Sequence, residues 1–168
     1  MTASSAFIRR LIIATTLLTL ILGAGCASKK TKEDEGAVPN AASADENHLG
    51  DSDSGNAMGL QTVHYPYDSS TLDSDGKKVL KSNAGIMKSH ATLKVQIEGH
   101  CDQRGGIQYN IALGEKRANA AMKFMEDEGI SADRLAVISF GKEKPLDPAE
   151  TENAYTKNRR ANFVITTK

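Results

Sequence analysis

The 168-residue chain is long enough for one ordinary domain with additional segments. Its 21 Lys and Arg balance its 21 Asp and Glu, and this zero net charge argues against a nucleic-acid binder, which should carry a strong basic excess. The charges are unevenly distributed, because residues 27–60 hold three Lys against seven Asp and Glu, whereas residues 61–168 hold 16 basic and 14 acidic groups. The chain therefore divides into three regions of different composition.

The first region has the features of an export signal. Arg9 and Arg10 precede the apolar run LIIATTLLTLIL, which is shorter than the about 20 residues of a membrane-spanning helix. The run ends in GAGC, which resembles a lipobox, where small residues precede a cysteine that is acylated and becomes the mature N-terminus. Gly23 departs from that pattern, which usually has a branched aliphatic residue there. We predict a lipoprotein signal peptide over residues 1–25 and acylation of Cys26, palmitate included; ordinary cleavage beside a cysteine is the alternative.

Residues 26–59 are predicted to form a lipid-anchored, disordered linker. Val38 and Leu49 are almost the only large apolar residues, and such a segment cannot bury enough apolar surface to offset the entropy of ordering. As a flexible coil, about 34 residues have a root-mean-square reach of roughly 30–35 Å. The linker would let an anchored domain search the space in front of a membrane.

The remaining residues, 60–168, are predicted to contain three helices. Asp73 or Ser74 caps a helix that runs to about Ser89, and Thr151 caps a short helix over TENAYTKN. A longer helix is predicted from about residue 108 to 128, with glycine as its stop. Its apolar stripe comprises Ile111, Ala118, Ala121, Met122 and Met125.

Four strands are predicted between these helices. LQTVHY at about residues 60–65, TLKVQIEG, LAVISFG and ANFVITT contain β-formers in alternating or short apolar runs. The resulting order β-α-β-α-β-α-β indicates an α+β fold in which helices pack on one mixed four-stranded sheet.

The stretch EGHCDQRGG, residues 98–106, combines several residue types that perform chemistry in other proteins. We expect no metal ion and no cofactor here, because adjacent side chains at a strand end point in different directions and the other histidines are scattered. For the same reason His100 and Cys101 are poorly placed as a nucleophile and its base. We expect a protein without enzymatic activity, and a thiol or metal hydrolase is the enzymatic alternative.

Two opposite charges suggest ligand capture instead. Asp102 follows the second strand, and Arg117 lies beside the apolar stripe of the long helix, together with Asn110 and Leu113. An Asp and an Arg that converge on one cleft would recognise an ammonium and a carboxylate, the two charges of a free amino-acid group. A mutual ion pair between Asp102 and Arg117 explains the spacing equally well.

The segment VQIEGHCDQRGGIQYNIALGEKRANA resembles the signature of OmpA-like peptidoglycan-binding domains, and ISFGKEKP and YTKNRRANFVI extend the similarity. The resemblance is closest to the peptidoglycan-associated lipoprotein (Pal) family, which shares the lipobox and the flexible tether. It covers residues 60–168 as a domain. It implies a β-α-β-α-β-α-β sandwich that binds the diaminopimelate of peptidoglycan stem peptides.

The resemblance also implies roles for individual residues. Asp102 would meet the ligand's ammonium, Arg117 would meet its carboxylate, and Asn110 and Leu113 would shape the cleft. The other positions assigned to the binding site by the motifs are Tyr67, Asp68, Arg104, Asn158 and Arg159, the last two as support. Two positions depart from the family pattern, since Pro66 replaces an acidic residue and Cys101 stands where Thr or Ala is common.

The resemblance further implies a place in the cell envelope. Ala27 and Ser28 lack the Asp that often signals inner-membrane retention. The expected protein is an outer-membrane lipoprotein whose domain faces the periplasm and binds peptidoglycan. It would belong to a Tol-Pal system, with TolB as a partner, in envelope integrity and cell division. The alternative is an OmpA-like lipoprotein outside the Tol-Pal system with the same wall-binding site.

Overall fold

The computed structural model of the chain describes residues 49–168. The predicted signal peptide, Cys26 and residues 26–48 of the predicted linker lie outside this range. The elements are β1 (Val63–His64), α1 (Ser74–Ser89), β2 (Lys94–His100), α2 (Ile107–Asp127), a 3₁₀ turn (Ala132–Arg134), β3 (Leu135–Gly141), α3 (Glu152–Asn158) and β4 (Arg160–Thr167).

The four strands form one mixed sheet in the order β1-β4-β2-β3. β2 pairs parallel with β3 and antiparallel with β4, and β1 pairs antiparallel with β4. Helices cover the face that carries Val95, Ile97, Phe163 and Ile165, all of which are buried in one apolar core. The predicted α+β architecture, with helices on a mixed four-stranded sheet, is confirmed.

The helices begin where side-chain caps satisfy their first backbone amides. Asp73 Oδ1 accepts a hydrogen bond of 2.7 Å from Gly76 N, so Asp73 rather than Ser74 is the cap of α1. Thr151 Oγ1 accepts from Ala154 N at 3.3 Å and caps α3 as predicted.

The buried side of α2 is rotated relative to the predicted stripe. Ala118, Ala121 and Met125 are buried as expected, but Ile111 and Met122 are only partly buried. Asn110, Gly114 and Arg117 are buried instead. The cause is a close approach at Gly114, where a Cβ would lie 2.8 Å from the carbonyl oxygen of Gly99 in β2. Apolar periodicity does not reveal this contact, and it turns the polar flank of α2 toward the sheet.

The predicted start of the domain at residue 60 is too late, because residues 49–59 pack against the sheet. Leu49 N donates to Ile165 O at 3.0 Å, Ile165 N donates to Gly50 O at 2.8 Å, and Ser52 N donates to Phe163 O at 3.0 Å. A buried ion pair of 2.7 Å joins Asp53 to Arg160. The polar composition of this segment conceals its place in the fold, because backbone groups make much of the contact.

The same segment explains why β1 is shorter than the predicted strand at 60–65. Residues 49–52 occupy the edge of β4 beyond Ala161, so that only Val63 and His64 pair with β4. The backbone of Gln61 is held by Asn83 of α1 instead, through one hydrogen bond in each direction.

We predict that Gly99→Ala destabilises the domain strongly. A Cβ at residue 99 would overlap the carbonyl oxygen of Gly114, and the backbone of α2 has to move to relieve the overlap. The expected loss in the free energy of unfolding is at the upper end of the roughly 1–3 kcal/mol typical of overpacking. Urea denaturation measures this loss.

Gly85→Ala is the matched control. Gly85 is exposed in α1 and its Cβ would have no neighbour within 4 Å. Because Ala favours helix, this variant should gain up to about 1 kcal/mol. Equal stabilities for the two variants would contradict the close contact between α2 and β2.

Candidate functional site

A cavity of about 180 Å³ opens where β2 ends. Its walls come from the loop after β1, the loop between β2 and α2, and the first three turns of α2. The lining residues are Tyr67, Asp68, Cys101, Asp102, Arg104, Gly105, Tyr109, Asn110, Leu113 and Arg117. Asp102 and Arg117, which the sequence predicts to converge, therefore line the same cavity.

Arg117 is a buried cation held by backbone carbonyls. Its side chain is among the largest fully buried ones in the domain, with the whole residue 1% exposed. The guanidinium donates to Ser69 O at 2.8 Å, His100 O at 2.9 Å and Pro66 O at 3.1 Å. None of the ion pairs within residues 49–168 involves Arg117. Burial lowers the pKa of this guanidinium from its ordinary value.

Asp102 is buried as well, but it has two cationic partners. Arg104 Nη2 donates to Oδ2 at 2.7 Å, and Arg159 Nη1 donates to the same oxygen at 3.2 Å. Burial by itself raises the pKa of the Asp102 carboxyl, but the hydrogen bonds from Arg104 and Arg159 outweigh it and bring the pKa below its ordinary value. The mutual ion pair of Asp102 and Arg117, the alternative interpretation of their spacing, is not formed.

Arg104 lies at the mouth of the cavity between two aromatic rings. Its Cζ is 4.2 Å from the ring centroid of Tyr67 and 4.4 Å from that of Tyr155. Glu152 of α3 accepts from Arg104 at 3.3 Å and from Arg159 at 3.0 Å. Two carboxylates and two guanidinium groups thus form one network on this side of the cavity.

Tyr67, Asp68 and Tyr109 form the rest of the cavity rim. Tyr67 is 60% exposed and Tyr109 is 56% exposed. Tyr109 Oη donates to Asp68 Oδ1, which joins the loop after β1 to the start of α2. The backbone of Asp68 is in the left-handed region with φ 52°, a conformation uncommon for a residue with a Cβ. Tyr109 is not predicted as a site residue from the sequence, because an exposed side chain on α2 gives no signal in an apolar pattern.

Asn110 and Leu113 lie on the cavity wall formed by α2. Asn110 Nδ2 donates to Arg104 O at 2.8 Å and to Gly106 O at 3.0 Å, which fixes the loop between β2 and α2. Gly105 has φ 84° in that loop, where a residue with a Cβ would be strained. Leu113 is half-buried and supplies an apolar patch.

Asn158 and Arg159 lie behind the cavity and do not line it. Asn158 Oδ1 accepts from Leu146 N at 2.8 Å and Asp147 N at 3.0 Å, which fixes the loop before α3. Arg159 holds Asp102 from its buried side. Both residues therefore lie outside the cavity wall and hold segments that surround it.

Cys101 borders the cavity floor as a thiol without an activating base. Its Sγ lies 3.3 Å from Asn110 O and 3.3 Å from Arg117 Nη1. Burial raises the pKa of the thiol, and the nearby Arg117 opposes this rise only in part. His100, its neighbour in sequence, points to the other face of the sheet, where its ring stacks on Phe140 with centroids 5.6 Å apart. The two side chains therefore do not form the pair that a thiol hydrolase needs.

His100 is a buried imidazole with unsatisfied nitrogens. Its Nε2 lies 3.5 Å from Glu98 Oε2, too far for a good hydrogen bond, and within the described range neither ring nitrogen has a hydrogen-bond partner. Burial lowers the pKa of His100 from its ordinary value, and Glu98 opposes this shift only in part. The imidazole is therefore neutral at neutral pH.

We predict that His100 makes the domain sensitive to mild acid. The unfolded chain takes up a proton near pH 6.5, whereas the folded domain takes it up only at lower pH. Because the unfolded state then binds more protons, the free energy of unfolding falls as the pH drops below about 6.5. His100→Gln should show a smaller fall between pH 7 and pH 5 in urea denaturation.

The matched control is His64→Gln, which removes an exposed imidazole from β1. A parent-like pH dependence in His100→Gln would contradict the buried neutral state of His100.

Two further properties of residues 49–168 bear on the site. Their side chains include no group of three or more His, Cys, Asp or Glu that could hold a metal ion. None of their helices is long and apolar enough to cross a membrane.

Comparison with known proteins places this fold and cavity in a family. The model of the OmpA family matches residues 64–159. The peptidoglycan-associated lipoprotein of Mesorhizobium japonicum is 34% identical over 150 residues, which are 86% of this chain and 86% of that protein. The peptidoglycan-associated lipoprotein of Legionella pneumophila is 31% identical over 175 aligned positions, with 98% of this chain and 97% of that protein covered.

Solved structures agree with these matches. The crystal structure of the peptidoglycan-associated lipoprotein from Burkholderia pseudomallei has a TM-score of 0.60 and 34% identity, and the match covers 62% of this chain and 88% of that one. The C-terminal domain of Helicobacter pylori MotB has a TM-score of 0.61 at 20% identity, covering 66% of this chain and 87% of that one, and it shows the fold alone. The chain belongs to the OmpA family and, within it, to the peptidoglycan-associated lipoproteins.

Proposed function

We propose that this protein is a non-enzymatic lipoprotein that binds peptidoglycan. Its cavity would bind the ammonium and the carboxylate at the free amino-acid end of diaminopimelate in the stem peptide. The observation that carries the proposal is the buried Arg117 guanidinium, which has no carboxylate partner in the described part of the chain. The names of the relatives, peptidoglycan-associated lipoproteins, support the same ligand.

Arg117 is suited to receive a ligand carboxylate. Desolvating an unpaired cation is unfavourable, and three carbonyl oxygens offset only part of this penalty. Across the cavity, Asp102 and Glu152 offset the charges of Arg104 and Arg159. The charge of Arg117 therefore remains uncompensated, and an anion that enters the cavity completes the pairing.

The ammonium of the same zwitterionic group meets carboxylates. Asp102 lines the inner wall of the cavity and Asp68 its rim, so that an ammonium attached to the same carbon as the carboxylate has anionic partners nearby. Tyr67 and Tyr109 supply exposed ring surface for the rest of the stem peptide. Binding of this kind needs no bond to be made or broken, which supports a role without catalysis.

Residue 49, the first residue that the structure describes, lies far from the cavity. Leu49 bonds to Ile165, which pairs with Val95 near the start of β2, whereas the cavity lies beyond the end of that strand. At about 3.3 Å per residue, roughly 20 Å separate the two ends. The cavity therefore lies at the end of the sheet opposite the point where the predicted linker joins the domain.

We predict that Arg117→Lys and Asp102→Asn weaken binding of the domain to purified peptidoglycan. Lysine keeps the positive charge but lacks the planar guanidinium that can donate two parallel hydrogen bonds to a carboxylate. Asparagine removes the anion that faces the ammonium. Loss of a hydrogen bond to a charged group is worth about 1.5–3 kcal/mol, so each variant should bind about 10- to 100-fold more weakly. Co-sedimentation of residues 49–168 with wall sacculi measures this change.

Lys123→Gln serves as control, because Lys123 is an exposed residue of α2 whose one ion pair among residues 49–168 is with Asp127. Thermal denaturation of each variant separates lost binding from lost folding. Parent-like sedimentation of folded Arg117→Lys and Asp102→Asn would contradict the assigned site.

Within this proposal, the protein acts in a Tol-Pal system in envelope integrity and cell division, with TolB as a partner. The alternative is a wall-binding lipoprotein outside that system. We predict that the purified domain captures TolB from the same organism and that soluble stem peptide reduces the capture. Wall binding without capture of TolB would favour the alternative.

A further inference from the structure

The carboxylate of Asp102 has no free acceptor position in this structure. A carboxylate offers about four lone-pair sites, two on each oxygen. Oδ1 accepts from Arg104 N at 3.1 Å and Arg104 Nε at 3.2 Å. Oδ2 accepts from Arg104 Nη2 at 2.7 Å and Arg159 Nη1 at 3.2 Å. A ligand ammonium that binds Asp102 therefore has to replace one of these donors.

The donor that can leave is the Arg104 side chain. Arg159 is buried, with its side chain 7% exposed, and it is further tied to Glu152 and to the backbone of Tyr65. The side chain of Arg104 is 35% exposed and covers Asp102 on the side of the cavity. Its backbone N–H can remain on Oδ1 when the guanidinium departs, so that the loop keeps its shape.

Features outside the loop hold the Arg104 guanidinium over Asp102. The rings of Tyr67 and Tyr155 lie on either side of it, and Glu152 accepts from its Nη1. These contacts come from the loop after β1 and from α3, so the closed position is supported by two distant parts of the chain. The guanidinium occupies the place that a ligand ammonium would take. Like an ammonium, it carries one positive charge and donates N–H hydrogen bonds.

We propose that Arg104 is a specificity-determining residue that competes with the ligand's ammonium for Asp102. This inference rests on the proposed function. The free protein stays paired at Asp102, and the ligand gains the contact only by displacing the guanidinium. The ligand's ammonium therefore adds less to the affinity than it would if Asp102 were unpaired. Because Arg117 has no anionic partner among residues 49–168, the ligand's carboxylate contributes more to the affinity than its ammonium.

The experiment compares two ligands that differ only in the ammonium. One is the blocked tripeptide that ends in diaminopimelate, and the other has 2-aminopimelate in its place, so that the free amine is replaced by hydrogen. Isothermal titration calorimetry with residues 49–168 gives the Kd of each ligand. The ratio compared is the Kd of the 2-aminopimelate peptide divided by the Kd of the diaminopimelate peptide. In the parent, a ligand ammonium can bind Asp102 only in the fraction of molecules in which Arg104 has left it, and the apparent affinity is reduced by that fraction. Arg104→Gln removes this reduction and should raise the ratio about tenfold over the parent.

Two variants sharpen the comparison. Arg104→Lys keeps a cation that can pair with Asp102, but a lysine cannot make two parallel hydrogen bonds to the carboxylate or stack flat on the tyrosine rings. Its ratio should therefore lie between those of the parent and Arg104→Gln. Lys123→Gln removes one exposed cation from α2 and should keep the parent ratio. A general loss of folding or of site shape also raises the Kd of the 2-aminopimelate peptide, which a change in the competition for the ammonium leaves as in the parent.

The outcomes separate the two proposals. A ratio that stays the same or falls in Arg104→Gln overturns the competition and assigns Arg104 to direct contact with the ligand or to support of the loop. Failure of the parent to bind either peptide overturns the proposed function and this inference together.

Discussion

A buried guanidinium organises the site end of this domain. Arg117 reaches from α2 to carbonyl oxygens in the loop after β1 and at the end of β2, and Tyr65 Oη in turn donates to Arg117 O. Three segments that are distant in sequence are thereby fixed around one cavity. The same interactions leave the positive charge without an anion from residues 49–168, and the proposed binding of a carboxylate depends on this charge.

The packing of glycine on glycine determines where that guanidinium lies. Gly99 and Gly114 bring β2 and α2 together so closely that neither position accommodates a Cβ. Arg117 lies three residues after Gly114, and its side chain enters the layer between helix and sheet. Opposite it, Arg159 and Arg104 hold Asp102 from the buried and the open side respectively. Within residues 49–168, Arg117 thus has no anionic partner, whereas Asp102 has two cationic ones.

Much of this could be predicted from sequence, because it depends on local patterns. The caps at Asp73 and Thr151 and the alternation in β2 are read from neighbouring residues. The full burial of Arg117 is not, because it depends on the close contact between Gly99 and Gly114. The pairing of residues 49–52 with β4 could not be predicted, because it joins backbone groups more than 100 residues apart. The pairing of Arg104 with Asp102 could not be predicted either, because it is supported by contacts of Arg104 with Tyr67 and Tyr155, which come from distant segments.

The central claim is that Arg117 is the receptor for a carboxylate in the wall peptide. A crystal structure of residues 49–168 with a bound tripeptide ending in diaminopimelate tests it most directly. The account predicts a ligand carboxylate within hydrogen-bond distance of the Arg117 guanidinium, at the floor of the cavity that Asp102 also lines. A peptide bound elsewhere on the domain, or bound in this cavity with its carboxylates turned away from Arg117, would contradict it.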